Sequence, residues 1–185
     1  MKHLAVAVAL SLTLSACAGG ARLRSSARSS AAGTHPPKLE TAGVGPSASS
    51  RMVCAAEGKR EIASSVGTDT SRPLVATWTD HLYSCDYRYR AGGVMTLSVK
   101  ELADGSETTA YVTMLATNLG RTGALQGLGQ GAFQTLNGST VVRKDNRVLL
   151  VDVSRLPARF GTPASRRQDV SLSVAATIMG CWTGA

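Results

Sequence analysis

Residues able to act as an acid, a base or a nucleophile are sparse in this chain. Only three of the 185 residues are histidine, and of these only His81 lies in the part that reads as a folded domain. A hydrolase needs a nucleophile, a base and an orienting group within mutual reach, and the sequence contains no G-x-S-x-G motif. We therefore predict no catalytic residues and no enzyme. The alternative is an anchored hydrolase assembled from scattered Ser, Asp and Lys.

Two weaker patterns concern metal and phosphate binding. His81 with Asp80 and Asp86 has the ligand types of a metal site, but no paired C-x-x-C accompanies them, and a polar loop is the simpler interpretation. The glycine-rich segment 127–131 resembles a nucleotide-binding loop. That fingerprint needs a strand before it and a helix after it, whereas here a strand is predicted to follow. We predict neither a metal nor a cofactor.

A basic cluster surrounds the start of the last predicted helix. It consists of Arg155, Arg159, Arg166 and Arg167. Arginine side chains and the dipole of a helix N-terminus both favour an anion. The cluster is therefore the candidate binding surface, and the alternative is a merely solvated helix face.

The N-terminal segment has the pattern of an export signal. Lys2 precedes an uncharged run over 4–16, which is too short for a stable transmembrane helix. The run ends in LSAC, a tetrapeptide that resembles the bacterial lipobox. The resemblance implies that 1–16 is a lipoprotein signal peptide, cut off after the Cys17 sulfur has received a diacylglyceryl group. The alternative is ordinary secretion, because the residues around Cys17 also fit an A-x-A cleavage site.

Residues 17–51 read as an acylated cysteine followed by a disordered tether. They are rich in Ser, Ala, Gly and Pro and show neither helical nor strand periodicity. Most of the net charge of +8 lies in the signal and this tether, so the domain itself is only mildly basic and we predict no nucleic-acid partner. Basic tether residues are suited to anionic lipid, although a simple soluble linker is the alternative.

Residues 52–185 are predicted to form a single α+β domain with the element order αββαβββα. Clean alternation predicts a strand over 83–91, and a Gly92-Gly93 turn leads into a second strand over 94–102. Thr162 and Pro163 suit the start of the last helix. The remaining elements are helices over 53–66 and 106–119, strands over 132–136, 139–144 and 147–155, and a final helix ending near 180. About five antiparallel strands packed with helices follow from this order.

Three cysteines remain in the domain if Cys17 is acylated, so one disulfide and one leftover thiol are expected in an oxidising compartment. Cys85 shares a strand face with tyrosines, and Cys54 opens the helix expected to pack there. This favours the pair Cys54–Cys85, with Cys181 as a buried thiol. Pairing of Cys181 with either of the other two is the alternative.

The whole arrangement resembles small actinobacterial lipoproteins that share a domain of unknown function. The similarity rests on the lipobox, on Cys54 in the first helix, on Cys85 in the first strand, and on the LQGLGQGAFQTL segment over 125–136. It implies the α+β fold and an envelope location, and it also pairs the cysteines of the first helix and the first strand. It carries over no catalytic residues.

These observations predict a lipid-anchored, non-catalytic protein on the extracytoplasmic face of a bacterial cell membrane. Its partners would be the membrane, through the diacylglyceryl group on Cys17, and an envelope protein or an apolar ligand. We expect such a ligand to lie in a groove between the helices and the sheet. An antigen-like spacer without a ligand is a further alternative.

Overall fold

A computed structural model describes residues 42–183, which belong to one compact unit of the chain. The helices are α1 (Ala48–Met52), α2 (Ala56–Val66), α3 (Gly105–Asn118) and α4 (Arg167–Thr183). The strands are β1 (Ala76–Thr79), β2 (Leu82–Arg88), β3 (Val94–Glu101), β4 (Arg121–Leu125), β5 (Gly131–Thr135), β6 (Thr140–Lys144), β7 (Arg147–Arg155), β8 (Arg159–Phe160) and β9 (Ser165–Arg166). None of the described helices is long and apolar enough to cross a bilayer.

The main sheet is fully antiparallel and has seven strands in the order β1-β2-β3-β7-β6-β5-β4. The α+β class is confirmed, while the predicted number of about five strands is too low. Strand β7 occupies the centre, as its apolar run VLLVDV predicts, because a strand covered on both faces needs apolar side chains on both. Strands β8 and β9 form a separate hairpin.

Helices cover the two faces of the sheet unequally. Leu149, Val151 and Val153 of β7 point to the face that carries α1, α2 and α4, and all three are completely buried. Val148 and Leu150 point to the other face, where they pack with α3. Because α3 contacts β6 and β7, the β1–β2–β3 half of that second face keeps partly exposed side chains.

The β2–β3 hairpin matches its prediction closely. Residues Gly92 and Gly93 form the turn with φ values of 87° and 89°, a region that glycine enters without a steric penalty. The alternation also holds, since Cys85 and Tyr87 are buried in the core whereas Arg88 is exposed.

The first predicted helix is two helices in the structure. It breaks between Met52 and Ala56, and α1 starts at Ala48, so the predicted boundary between tether and domain at residue 52 falls inside α1. The two helices approach so closely that a Cβ on Gly58 would lie 2.3 Å from the carbonyl oxygen of Met52. Gly67 ends α2 in the left-handed conformation that glycine adopts readily after a helix.

The last helix begins later than Thr162 and Pro163 suggest. These two residues lie in the connection between β8 and β9, and α4 starts only at Arg167. The backbone N–H of Thr162 donates a hydrogen bond to the carbonyl of Val66, 2.9 Å away. Thr162, which sequence preference placed at the helix start, is therefore held by a tertiary contact with the end of α2. A buried stripe with helical spacing runs along α4, and its members are Val170, Val174, Ile178 and Cys181.

Candidate binding site

A disulfide joins Cys54 to Cys85, the pairing that the residues favoured, with a Cα–Cα distance of 5.9 Å. It ties the segment between α1 and α2 to strand β2. Next to it, the buried hydroxyl of Tyr87 donates a 2.7 Å hydrogen bond to the carbonyl oxygen of Val53. Cys181 is buried on α4 and takes no part in this disulfide. Residues 1–41, including Cys17, lie outside the described part of the chain.

A polar surface forms on the opposite side of the same strand. Alternation on β2 turns Cys85 into the core and Ser84, Asp86 and Arg88 outward. Thr96 of β3 lies directly across from Asp86 in the sheet register. Antiparallel pairing thus places a carboxylate and a hydroxyl side by side, on the sheet face whose helix, α3, contacts β6 and β7.

Asp86 organises two arginines at this surface. One carboxylate oxygen accepts a 2.8 Å hydrogen bond from Arg88, and the other accepts a 2.9 Å bond from Arg155. That second oxygen also accepts the Thr96 hydroxyl at 2.7 Å, and Arg155 donates to the Thr96 oxygen at 2.6 Å. Both arginine side chains are 51% exposed. Each therefore keeps donors that face solvent, because a guanidinium carries five N–H groups.

The charge state of Asp86 follows from these partners. Partial burial opposes ionisation, but the Thr96 hydrogen bond and the positive charges of Arg155 and Arg88 outweigh it and lower the pKa of Asp86 below its ordinary value. The group is therefore an ionised anchor at neutral pH. It is not suited to donate a proton.

A pocket of about 470 Å³ adjoins these groups. Arg72, Pro73 and Val75, from the segment before β1, line it together with Asp86 and Arg88. We call this pocket the sheet pocket. Its lining thus includes an apolar side chain, Val75, that is 74% exposed, and a further arginine, Arg72.

Two more residues of the sheet pocket are Thr77 and Ser84, whose hydroxyls lie 2.9 Å apart. Neither hydroxyl has a histidine among its hydrogen-bond partners there. The pair adds hydrogen-bonding capacity to the pocket, without the adjacent base that would activate a nucleophile.

The predicted arginine cluster is divided between two places. Arg155 belongs to the Asp86 group, whereas Arg159, Arg166 and Arg167 line a second pocket of about 330 Å³. This second pocket also contains Leu136, in the turn between β5 and β6. Arg155 is separated because it ends strand β7, whose pairing with β3 aims its side chain across the sheet.

Internal contacts limit the charge of the second pocket. Arg166 forms two hydrogen bonds with Asp169, at 2.8 and 3.1 Å, and these lower the pKa of the Asp169 carboxyl. Arg159 donates to the carbonyl of Ala164 and Arg167 to that of Leu156. Both of these contacts are to backbone carbonyls, and the Asp169 carboxylate also interacts with the charge of Arg159. Three arginines therefore share one carboxylate at the second pocket.

The other candidates have structural partners. His81 lies in the β1–β2 turn with its ring perpendicular to that of Trp78, and Lys100 binds Asp80 in the same turn. Within residues 42–183 no three His, Cys, Asp or Glu side chains are grouped so as to hold a metal ion. The glycine-rich segment connects β4 to β5, and a Cβ on Gly129 would lie 2.4 Å from the carbonyl oxygen of Arg143. A close backbone approach accounts for that glycine.

The helix–sheet interface, where we expected a groove, is filled with side chains. Val174 and Ile178 of α4 are completely buried against Leu149 and Val151 of the sheet. Both pockets described above lie elsewhere, and arginines contribute to their walls. The geometry thus favours a polar, cationic site over an apolar groove.

Sequence reasoning did not assign Arg72 and Arg88 to a site, and it treated Asp86 only as a metal ligand. The alternation on β2 contains a usable signal, because it puts Asp86 and Arg88 on one outward face. The contribution of Arg155, 69 positions later, has no local signal.

Comparisons of this chain with protein-family models, with curated proteins and with solved structures found no match. The case for a function therefore rests on the residues and their geometry.

Proposed function

We propose that this protein is a non-catalytic binding module of the bacterial cell envelope, held at the extracytoplasmic face of the membrane by acylated Cys17. Its ligand carries an anionic group, a carboxylate or a phosphate, and binds in the sheet pocket. The observation that carries the proposal is the Asp86 carboxylate, which fixes the Arg88 and Arg155 guanidinium groups beside that pocket.

Preorganisation is the physical reason for this choice. A free arginine side chain loses rotamer entropy when it binds a ligand, at a cost of about 0.5–1.5 kcal/mol. The Arg155 side chain is already ordered by its hydrogen bonds to Asp86 and Thr96, so ligand binding need not order it again. A planar guanidinium so held offers parallel N–H groups that match the two oxygens of a carboxylate or phosphate.

The charge balance supports an anionic ligand. Arg88 and Arg155 bind the Asp86 carboxylate, and Arg72 lines the same pocket. The local excess is positive, and the exposed Val75 and Pro73 supply apolar contact for the rest of a ligand. An envelope-derived molecule with an acidic group and an apolar part fits both features.

The N-terminal sequence supports the proposed location at the membrane. The LSAC motif ending at Cys17 and the apolar run before it are the features of a lipoprotein signal. Two acyl chains bind a membrane durably, because each buried methylene contributes about 0.8 kcal/mol whereas one chain alone holds only marginally. The resemblance to small actinobacterial lipoproteins is part of the same proposal.

Binding of inorganic phosphate and of succinate to the full-length protein tests the site. Titration calorimetry with wild type, Arg88→Ala and Arg155→Ala measures each arginine, with Arg60→Ala on the exposed side of α2 as the control. Loss of a charged hydrogen bond costs about 1.5–3 kcal/mol, so affinity is expected to fall at least tenfold in the two site variants. Absence of binding, or equal affinity in all four proteins, would contradict the proposal.

A further inference from the structure

The second pocket is part of a surface with a different character from the sheet pocket. It combines one strongly exposed leucine, Leu136, with the arginines Arg159, Arg166 and Arg167. We call these four residues the turn surface. Leu136 is 78% exposed, in a domain whose other large apolar side chains are mostly buried.

Leu136 is held in this outward position by the backbone. Its N–H donates to the carbonyls of Leu119 and Gly120, at 3.2 and 2.8 Å. Its side chain lies over Gly120 so closely that a Cβ there would come within 2.3 Å of it. Gly120, in the left-handed conformation with φ of 67°, therefore lets the leucine rest on the turn after α3 without entering the core.

The charge of the turn surface is positive. Asp169 is the one carboxylate that contacts its arginines among the described residues, and it binds Arg166. Arg159 and Arg167 donate only to backbone carbonyls in the contacts described above. Because Asp169 interacts with the charges of both Arg166 and Arg159, three arginines share one carboxylate. A net positive charge thus remains beside an exposed apolar side chain.

We propose that the turn surface docks onto an anionic lipid bilayer, with Leu136 entering the interface and the arginines contacting lipid phosphates. The positive charge of the turn surface is complementary to the negative charge of such a bilayer. Protein segments that bind at a membrane interface typically combine basic side chains with an apolar side chain that enters the lipid. The choice of partner rests in part on the proposed anchor at Cys17. Even fully extended, residues 18–41 would keep the domain within about 85 Å of the membrane, so the bilayer is present at a high effective concentration.

Docking has a consequence for the proposed function. An anchored domain without such a surface would sample all orientations, whereas contact through Leu136 fixes one face of the domain toward the lipid. The sheet pocket is built from β1, β2 and the segment before them, separate from the residues of the turn surface. One surface would therefore contact the membrane while the other binds its ligand.

Hydrogen–deuterium exchange on the full-length protein tests this docking locally. The protein is measured on vesicles of phosphatidylcholine alone and on vesicles containing phosphatidylglycerol. We expect slower exchange at 136–138 and 158–168 on the anionic vesicles only, and reversal of this protection by high salt because ions screen exposed charges. Segment 109–117 of α3 is the internal control and should exchange equally on both.

Variants assign the effect to the named residues. The double change Arg159→Ala with Arg167→Ala should weaken the anionic contact about 25-fold, about fivefold for each arginine. Leu136→Ser should reduce it as well, and Arg60→Ala should leave it intact. Near-ultraviolet circular dichroism checks that each variant is folded.

The outcomes separate this proposal from that of the anchor. Equal exchange on both vesicle types, or equal slowing in α3, overturns docking by the turn surface even if the protein carries acyl chains. Protein that lacks acyl chains, but shows the protection when added to anionic vesicles from solution, overturns the anchor alone and supports the surface.

Discussion

The side chain of Glu101 accepts a hydrogen bond from the backbone N–H of Ser47, 2.8 Å away and 54 positions earlier in the chain. The same carboxylate oxygen accepts the hydroxyl of Ser50. In the same first turn of α1, the carbonyl of Ser49 accepts a 2.9 Å hydrogen bond from the indole N–H of Trp182. Residues that composition assigned to a tether are therefore bound to the last strand position of β3 and to the end of α4.

Removal of the Glu101 carboxylate should loosen this attachment. Glu101→Ala leaves the Ser47 N–H and the Ser50 hydroxyl without their acceptor, and an unsatisfied buried group costs about 1–3 kcal/mol. We expect the free energy of unfolding in urea to fall by that amount at pH 7. Ser47→Ala tests the same contact from the other side and should cost less, because the backbone N–H stays in place. An unchanged free energy of unfolding in Glu101→Ala would show that this attachment does not stabilise the domain.

The same carboxylate predicts a pH dependence. Burial raises the pKa of Glu101, whereas hydrogen bonds from Ser50 and Ser47 and the charge of Arg147 lower it. The lowering effects are together larger than the effect of burial, so the net shift is downward. A lowered folded-state pKa stabilises the protein above the unfolded value of 4.5, and this contribution is lost as the pH falls through the folded value. Unfolding curves between pH 7 and pH 3 should show a smaller loss of stability in Glu101→Gln than in wild type. Equal slopes would contradict the assignment.

The native protein should begin at Cys17 and carry acyl chains. Intact-mass spectrometry of protein extracted from membranes measures both features at once. Cys17→Ser removes the sulfur that takes the diacylglyceryl group and should leave an unprocessed precursor. A mature chain that starts beyond Ala18 and has no lipid mass would identify ordinary secretion instead.

The disulfide should contribute strongly to stability. Opening Cys54–Cys85, which are 31 positions apart, releases a loop whose closure is worth about 3–4 kcal/mol when chain entropy alone is counted. Cys54→Ser with Cys85→Ser should lower the free energy of unfolding by about that amount, while Cys181→Ser should leave the disulfide in place. Peptide mapping without reduction checks the pairing, and a linked peptide that contains Cys181 would overturn it.

Two helical glycines should respond oppositely to alanine. In an exposed helix interior, Gly→Ala stabilises by roughly 0.5–1 kcal/mol. Gly180 of α4 has open space where a Cβ would be, so Gly180→Ala should follow this rule. Gly58→Ala should instead destabilise the protein, because its Cβ would overlap the Met52 carbonyl at 2.3 Å. Thermal unfolding of the two variants compares them directly, and stabilisation by both would mean that α1 can move away.

The sequence by itself determined the elements whose signal is local. Alternation and the glycine turn defined β2 and β3, and a run that is apolar on both faces placed β7 at the centre of the sheet. A stripe with helical spacing defined α3 within one residue at each end. These features follow from backbone geometry over a few positions, and a periodic pattern records them whatever the rest of the chain does.

Only the tertiary structure decided the edges of the sheet, the start of the domain and the candidate site. Strands β1 and β4 are almost wholly exposed, so neither alternates in burial, and pairing with a neighbour alone makes them strands. Asp86 lies on β2 and Arg155 on β7, and the sheet order separates these two strands by β3 alone. The long side chain of Arg155 reaches across β3 to the Asp86 carboxylate. Such contacts join residues far apart in sequence, and their energy comes from partners that no local window contains.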